Sequence, residues 1–435
     1  MKAGFARQCI TPPPGTHMYG FATRDRDHGC EGALDDLHVH ALYVEDVSDR
    51  ALIMGFDLLF FGRDDANRFK AAIGNRLDLT PRQILLNCSH THCGPVVGAS
   101  WAYADYGLGE TERLYRDQLE IAIVAAAVEA RDRAVEVSVS AGAGSTSLPV
   151  SRRKPDGQGG VRWAPFREGV ACRHLPVCLL RDREGQPVCL LFSVSCHPST
   201  IAGYRITADY PGVAARLLDD HLGAECSLFL QGAGGDAKAA TIADEDAFRS
   251  GPYEEVEAAG RLVADQVREA LATGLRPIEP RVATSLLEMP WPLQTPPDRR
   301  KLQALVDDQA TDDLRRLWAE RQLQRLDRGE TLRAGVPVLL HGLLLGSGVR
   351  LIGLEGEAVA GLGLHILGHF GDRGVTFPLG YCDGMQAYLP TSAMIDEGGY
   401  EVISYHEYGQ PAPFAEGMEG VITDGLARLA AQGIR

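Results

Sequence analysis

Short apolar runs alternate with amphipathic stretches along most of the chain, the pattern of strands followed by helices. The runs predict strands at His38–Glu45, Ala51–Asp57, Ile84–Cys88, Val135–Ala141, Val188–Ser195, Cys226–Gln231, Val338–Gly346 and Val349–Glu355. Helical spacing predicts helices over Asp64–Arg76, Glu110–Arg131, Pro211–Leu222, Tyr253–Thr273, Glu357–Phe370 and Phe414–Gln432. In the second of these, Leu114, Leu119, Ile121, Ile123 and many alanines give enough apolar surface to lie against a sheet. The expectation is an α/β fold, a mixed sheet core flanked by helices, formed as a single domain over residues 1–435.

One segment departs from this pattern. Residues 298–330 are dense in Arg, Asp, Gln and Leu, with Leu302, Leu305, Val306, Leu314, Leu317, Trp318 and Leu326 at helical spacing. A proline-rich breaker, Pro292-Leu-Gln-Thr-Pro-Pro297, precedes it. This predicts a helical hairpin inserted between strands, serving as a packing arm, a subunit contact or a lid.

Composition narrows the class of partner. With 43 Lys+Arg against 58 Asp+Glu, the formal charge of −15 argues against nucleic acid, which needs a basic face. No window of 18 residues is continuously apolar, so stable membrane insertion is not expected. The N-terminus lacks the apolar stretch of a secretory signal, and the chain reads as cytoplasmic. The 10 cysteines include no Cys-x-x-Cys pair, and several lie in apolar runs, so buried free thiols are expected.

Chemistry-bearing residues collect where predicted strands end. Ile84–Cys88 runs into Ser89-His90-Thr91-His92-Cys93-Gly94-Pro95, and in an extended chain His90 and His92 would face the same side. Val188–Ser195 ends in Cys196-His197-Pro198. Val349–Glu355 turns through Gly356 into Glu357, placed at or near a helix N-terminus, where a carboxylate is also favoured as a cap. Two histidines and a carboxylate from three strand ends are a donor set for a catalytic zinc, Zn2+. Asp236, closing Gln231-Gly-Ala-Gly-Gly-Asp236, reads equally as support for a ligand histidine or as a turn carboxylate, and Asp57 likewise.

Five runs then occur in order: Asn87-Cys-Ser-His-Thr-His-Cys-Gly-Pro95, Val194-Ser-Cys-His-Pro-Ser-Thr200, Ala208-Asp-Tyr-Pro-Gly212, Leu230-Gln-Gly-Ala-Gly-Gly-Asp236 and Gly356-Glu357. Together with Gly4-Phe-Ala-Arg-Gln-Cys-Ile-Thr-Pro12 and Met18-Tyr-Gly-Phe21, they resemble the catalytic domain of the neutral/alkaline (non-lysosomal) ceramidases. Tyr388-Leu-Pro-Thr391 and Tyr400 repeat that family's tyrosine pair, 400 − 388 = 12 residues apart. The resemblance implies zinc held by His90, His197, Glu357 and Tyr388, with His92, Arg152 and Tyr400 as catalytic groups. The arginine motif matches Ser151-Arg152-Arg153-Lys154-Pro155 loosely and leaves the choice between Arg152 and Arg153 open.

The match is uneven. The chain stops one helix beyond the last motif, so no C-terminal immunoglobulin-like domain is expected. The family's segment after the Gly-Asp motif, with its catalytic serine, has no counterpart here. The expected function is therefore zinc-dependent hydrolysis of an amide bond in a soluble small molecule of N-acyl type. The alternative is an esterase or lactonase on the same scaffold. A nucleotide-binding reading rests on residues 231–236, which fit neither Gly-x-Gly-x-x-Gly nor a P-loop. A non-catalytic protein with core histidines is the other rival, and a homo-oligomer is left open.

Overall fold

The structure, a computed structural model, describes residues 1–21, 23–25, 27–97 and 109–435. Its largest sheet runs Ser227–Gln231, Pro187–Val194, His174–Asp182, Val135–Ser145, Lys2–Cys9, His38–Glu45, Arg50–Phe56 and Ile84–Cys88, with Arg276–Ile278 pairing beside Val135–Ser145. The outermost pair at each end is parallel and the pairs between are antiparallel. Within the sheet ladder the two halves meet at Lys2–Glu136 and Ala3–Val135.

That narrow junction lets the sheet fold over on itself. Leu42, Ile53 and Leu85 from one half pack in a common core with Leu180, Leu191 and Leu230 from the other. Gly55 marks how closely the halves approach, since a Cβ there would stand 2.9 Å from the Phe229 carbonyl oxygen. The opposite faces carry helices. Arg63–Leu77 and Glu110–Asp132 cover Val39, Leu52 and Leu86. Asp209–Leu222 and Tyr253–Ala272 cover Leu190, Phe192 and Phe229. Strands buried on both faces read as unbroken apolar runs, which is why Leu190–Phe192 and Ile84–Leu86 show no polar alternation.

A second sheet, Ala283–Pro292, Gly335–Gly346, Val349–Leu354 and Val375–Leu379, extends the same interior through Leu343, Leu351 and Phe377. Its other face is covered by helices Ala360–Phe370 and Met418–Ala431 through Leu362, Ile366 and Leu426. The molecule is mixed α/β, with sheets stacked at its centre and helices outside. Among the described residues no helix is long and apolar enough to cross a membrane. All ten cysteines are unpaired, with Cys9 exposed and the others buried.

The segment 298–330 forms two helices, Arg299–Asp307 and Asp313–Asp327, between Pro292 and Gly335. Asp298 and Asp312 cap them, accepting from the backbone N–H of Lys301 and Arg315 at 2.9 Å each. Trp318 is fully buried against Tyr405 and donates its indole N–H to the Gln410 carbonyl at 2.8 Å. The hairpin thus buttresses residues 400–410 from outside.

Two sequence expectations need correction. The helix expected from Glu357 begins at Ala360, because Glu357–Ala358 pairs in parallel with Tyr388–Leu389 and is held extended. His90 and His92 do not share a strand face. The strand ends at Cys88 and His90 takes φ +68°, so a left-handed turn brings them together.

Candidate active site

Three strand ends converge on one buried amide. Asn87 donates to the carbonyls of Gln231 at 3.2 Å and Gly380 at 2.8 Å, and accepts from the Gln231 N–H at 2.7 Å. It thereby joins the ends of Ile84–Cys88, Ser227–Gln231 and Val375–Leu379. Asn87→Ala leaves these buried groups unsatisfied, at about 1–3 kcal/mol for each group. A denaturation midpoint unchanged from wild type would remove Asn87 from this role.

Just beyond these ends lie His90, His197 and Glu357. The His90 N–H donates to the Leu58 carbonyl and its Nδ1–H to the Leu59 carbonyl, both at 2.9 Å. Nδ1 of His197 donates to the Gly234 carbonyl at 3.0 Å. Carbonyls only accept, so in each neutral ring the proton sits on Nδ1 and Nε2 carries a lone pair. Burial lowers the His197 pKa to about 4 and so favours the neutral ring. Both Nε2 atoms face Oε2 of Glu357, at 3.2 Å from His90 and 3.3 Å from His197. Burial raises the Glu357 carboxyl, but the two imidazoles, once protonated, outweigh it and hold the pKa well below the usual range. Three acceptor atoms therefore meet in a dry space, an arrangement that calls for a cation between them.

The other donors stand close by. The Tyr388 hydroxyl is 3.4 Å from His197 Nε2, and Tyr388 is the strand partner of Glu357. Gly235 makes the close approach possible, since a Cβ there would lie 2.7 Å from the Glu357 carbonyl oxygen. Ligand atoms of His90, His92 and His197 all lie within 4.8 Å of one another. Neither ring nitrogen of His92 has a hydrogen-bond partner, and both are buried. Burial, then the neighbouring His90 and His197, push the His92 pKa well down.

Arg152, rather than Arg153, packs against the tyrosines. Its guanidinium carbon lies 4.0 Å from the Trp163 ring centre, 5.3 Å from Tyr388 and 5.6 Å from Tyr400. Nε donates to Glu401 at 2.7 Å, while the buried Nη2 has no partner. Arg153 turns to Glu401 at 2.6 Å and Glu397 at 2.9 Å. The Tyr400 hydroxyl donates to Glu407 Oε2 at 2.8 Å, and its ring centre is 5.4 Å from that of Tyr388.

Several residues here were not singled out from sequence. Tyr408 donates to Glu357 Oε1 at 2.6 Å, fixing the carboxylate so that Oε2 points at the histidines. Glu407 lines the same cavity, and burial pushes its pKa up to about 7. Tyr381, at φ +56°, stacks 4.4 Å from His90. The signal was present as Tyr400-Glu401 and Glu407-Tyr408, two Tyr/Glu pairs within nine residues. Asp236 accepts from the Ala360 N–H at 2.7 Å and caps that helix, while the Gly234 carbonyl orients His197. Asp57 lies outside this cluster and accepts from the His38 N–H at 2.9 Å.

The space bounded by Phe60, His90, His92, Glu357, Tyr388 and Tyr400 measures about 50 Å³. A larger groove of about 680 Å³ lies on the outer helices beside Ile121 and Val128, away from all these groups.

Compared with solved structures, the chain superimposes on neutral ceramidase from Pseudomonas aeruginosa with a TM-score of 0.72 at 13% identity, covering 98% of this chain and 73% of that one. The fold is that of a neutral ceramidase. A ceramidase complexed with C2 matches equally, with a TM-score of 0.72 at 13% identity and coverage of 100% and 76%. Neither a protein-family model nor a curated protein sequence matches the chain. The likeness to neutral ceramidase lies in the fold, at 13% sequence identity.

Proposed function

We propose that this protein is a zinc-dependent hydrolase that cleaves the amide bond of a small N-acyl compound. The observation that carries this reading is the convergence of His90 Nε2 and His197 Nε2 on Glu357 Oε2, at 3.2 and 3.3 Å, with the Nδ1 of each ring already engaged by a carbonyl. Two imidazoles and a carboxylate, with a phenol beside them, suit zinc. His90, His197, Glu357 and Tyr388 would hold the ion. Zinc bound there supplies Lewis acidity toward a carbonyl oxygen and lowers the pKa of water.

The chain's own groups account for the rest. Neutral His92, with both ring nitrogens unpartnered, accepts a proton from the attacking water and delivers it to the leaving nitrogen. The free Nη2 of Arg152 donates to the negative charge that develops on the carbonyl oxygen. The Tyr400 hydroxyl donates beside it when Glu407 is protonated, since an ionised Glu407 takes that proton for itself. Glu401 holds Arg152 in place throughout. A cavity of about 50 Å³ above these groups favours a short acyl group over a long lipid chain. The ceramidase fold supports an amide as the bond cleaved.

The test is turnover of zinc-loaded protein on matched short-chain amides, esters and lactones. Preference for the amides is expected. Preference for esters or lactones would move the activity to the alternative reading, and no turnover of any class would end the hydrolase assignment.

A further inference from the structure

The chain carries a second His-x-His, His38-Val39-His40, and this one lies inside a regular strand. The two-residue pleat therefore does place both imidazoles on one face. It is the face that also carries Leu42 and Val44, turned toward the space between the two stacked halves. On the adjoining strand end, the Asp57 N–H donates to the His38 carbonyl at 3.0 Å. Asp57 Oδ2 in turn accepts from the His38 N–H at 2.9 Å.

One ligand atom from each of His38, His40 and Asp57 lies within 4.8 Å of the other two. His40 Nε2 stands 3.8 Å from Asp57 Oδ2, too far for a hydrogen bond. His40 Nδ1 is buried with no partner, and the residue is only 9% exposed. His40 thus has one buried ring nitrogen with no partner, while its other nitrogen faces the Asp57 carboxylate without bonding it. The surrounding charge favours a cation. Asp35, Asp36 and Asp57 lie close by, and the nearby Arg7 guanidinium is already engaged by Asp219 at 3.4 Å and Glu225 at 2.5 Å.

We infer that His38, His40 and Asp57 form a second metal site, taking one divalent ion of the zinc class through two imidazole nitrogens and a carboxylate oxygen. Ligand bonds of about 2.0–2.1 Å leave tetrahedral donors roughly 3.3 Å apart, so His40 and Asp57 close by about half an ångström. The ion's role is structural. Asp57 begins the stretch whose next two carbonyls, of Leu58 and Leu59, hold the His90 N–H and Nδ1–H. Fixing Asp57 fixes the loop that aims His90.

The inference does not depend on the proposed reaction, and its test is a count of bound metal. The full chain is equilibrated with zinc, freed of excess and assayed by elemental analysis. About two equivalents are expected for wild type, and about one each for His40→Ala, His38→Ala and His90→Ala. The double variant His40→Ala/His90→Ala is expected to hold none. His38 is less buried than His40, so it carries the test if His40→Ala fails to fold. Wild-type zinc content in both His38→Ala and His40→Ala would overturn the site. Loss of one equivalent in those variants but none in His90→Ala would uphold it and sink the active-site assignment instead.

Discussion

Replacing Glu357 by glutamine is expected to abolish turnover and, in the metal-free protein, to raise stability. The two effects have one cause. In the absence of an ion, Oε2 faces two lone pairs at 3.2 and 3.3 Å. A glutamine amide offers two N–H donors at that position, while its oxygen still accepts from Tyr408, now 2.6 Å from Oε1. Converting unsatisfied acceptors into hydrogen bonds is worth about 1–3 kcal/mol. In chelator, the variant should therefore melt above wild type. With zinc the order should reverse, because wild type gains about 4 kcal/mol at a thousandfold excess over Kd and the variant loses the ligand that makes this binding tight. Melting curves in chelator and in zinc, with elemental analysis, check both halves. A glutamine variant that melts below wild type in chelator would contradict the tautomers assigned to His90 and His197, and undiminished zinc affinity would remove Glu357 from the ligand set.

His92→Ala is expected to keep zinc and still lose turnover. His92 lies within reach of His90 and His197, yet both its nitrogens stand without a partner, while the Nδ1 of each of those rings is held by a carbonyl. The unanchored ring is the one suited to moving a proton. Its loss should lower kcat by about 10²–10⁴, the usual worth of a positioned general acid–base group. The ring contacts Phe21 at 5.0 Å, so folding is checked in parallel. If zinc is lost along with activity, His92 is a ligand.

What the sequence made legible was set by local rules. Ile84–Leu86 and Leu190–Phe192 are buried on both faces, and their unbroken apolar runs announced the strands. His90, His197 and Glu357 each stood beside a breaker at a strand end, which made them candidates before any geometry. Lys2–Cys9 was missed because Gly4, Arg7 and Gln8 break its apolar positions, and His174–Asp182 because Pro176 reads as a breaker near its start. The pleat argument failed at His90 because a left-handed residue overrides strand periodicity. Asn87, Glu407 and Tyr408 acquire meaning only from partners distant in the chain or from a short 3-10 turn. No spacing rule reaches them.

The folded-over sheet brings the proposed ligands together from three parts of the fold, tied near the site by bonds such as His92 N–H to the Pro198 carbonyl and Gly235 N–H to the Ala358 carbonyl. His90 belongs to one half, His197 to the other, and Glu357 and Tyr388 to the neighbouring sheet unit. An ion held by all of them would clasp these parts together, and any opening of one part must first break a coordination bond. Removing metal should therefore accelerate unfolding more than it slows folding, since contacts between distant segments assemble late. In refolding, activity should return only with the slowest of the three parts, so that turnover reports the assembly of the whole chain.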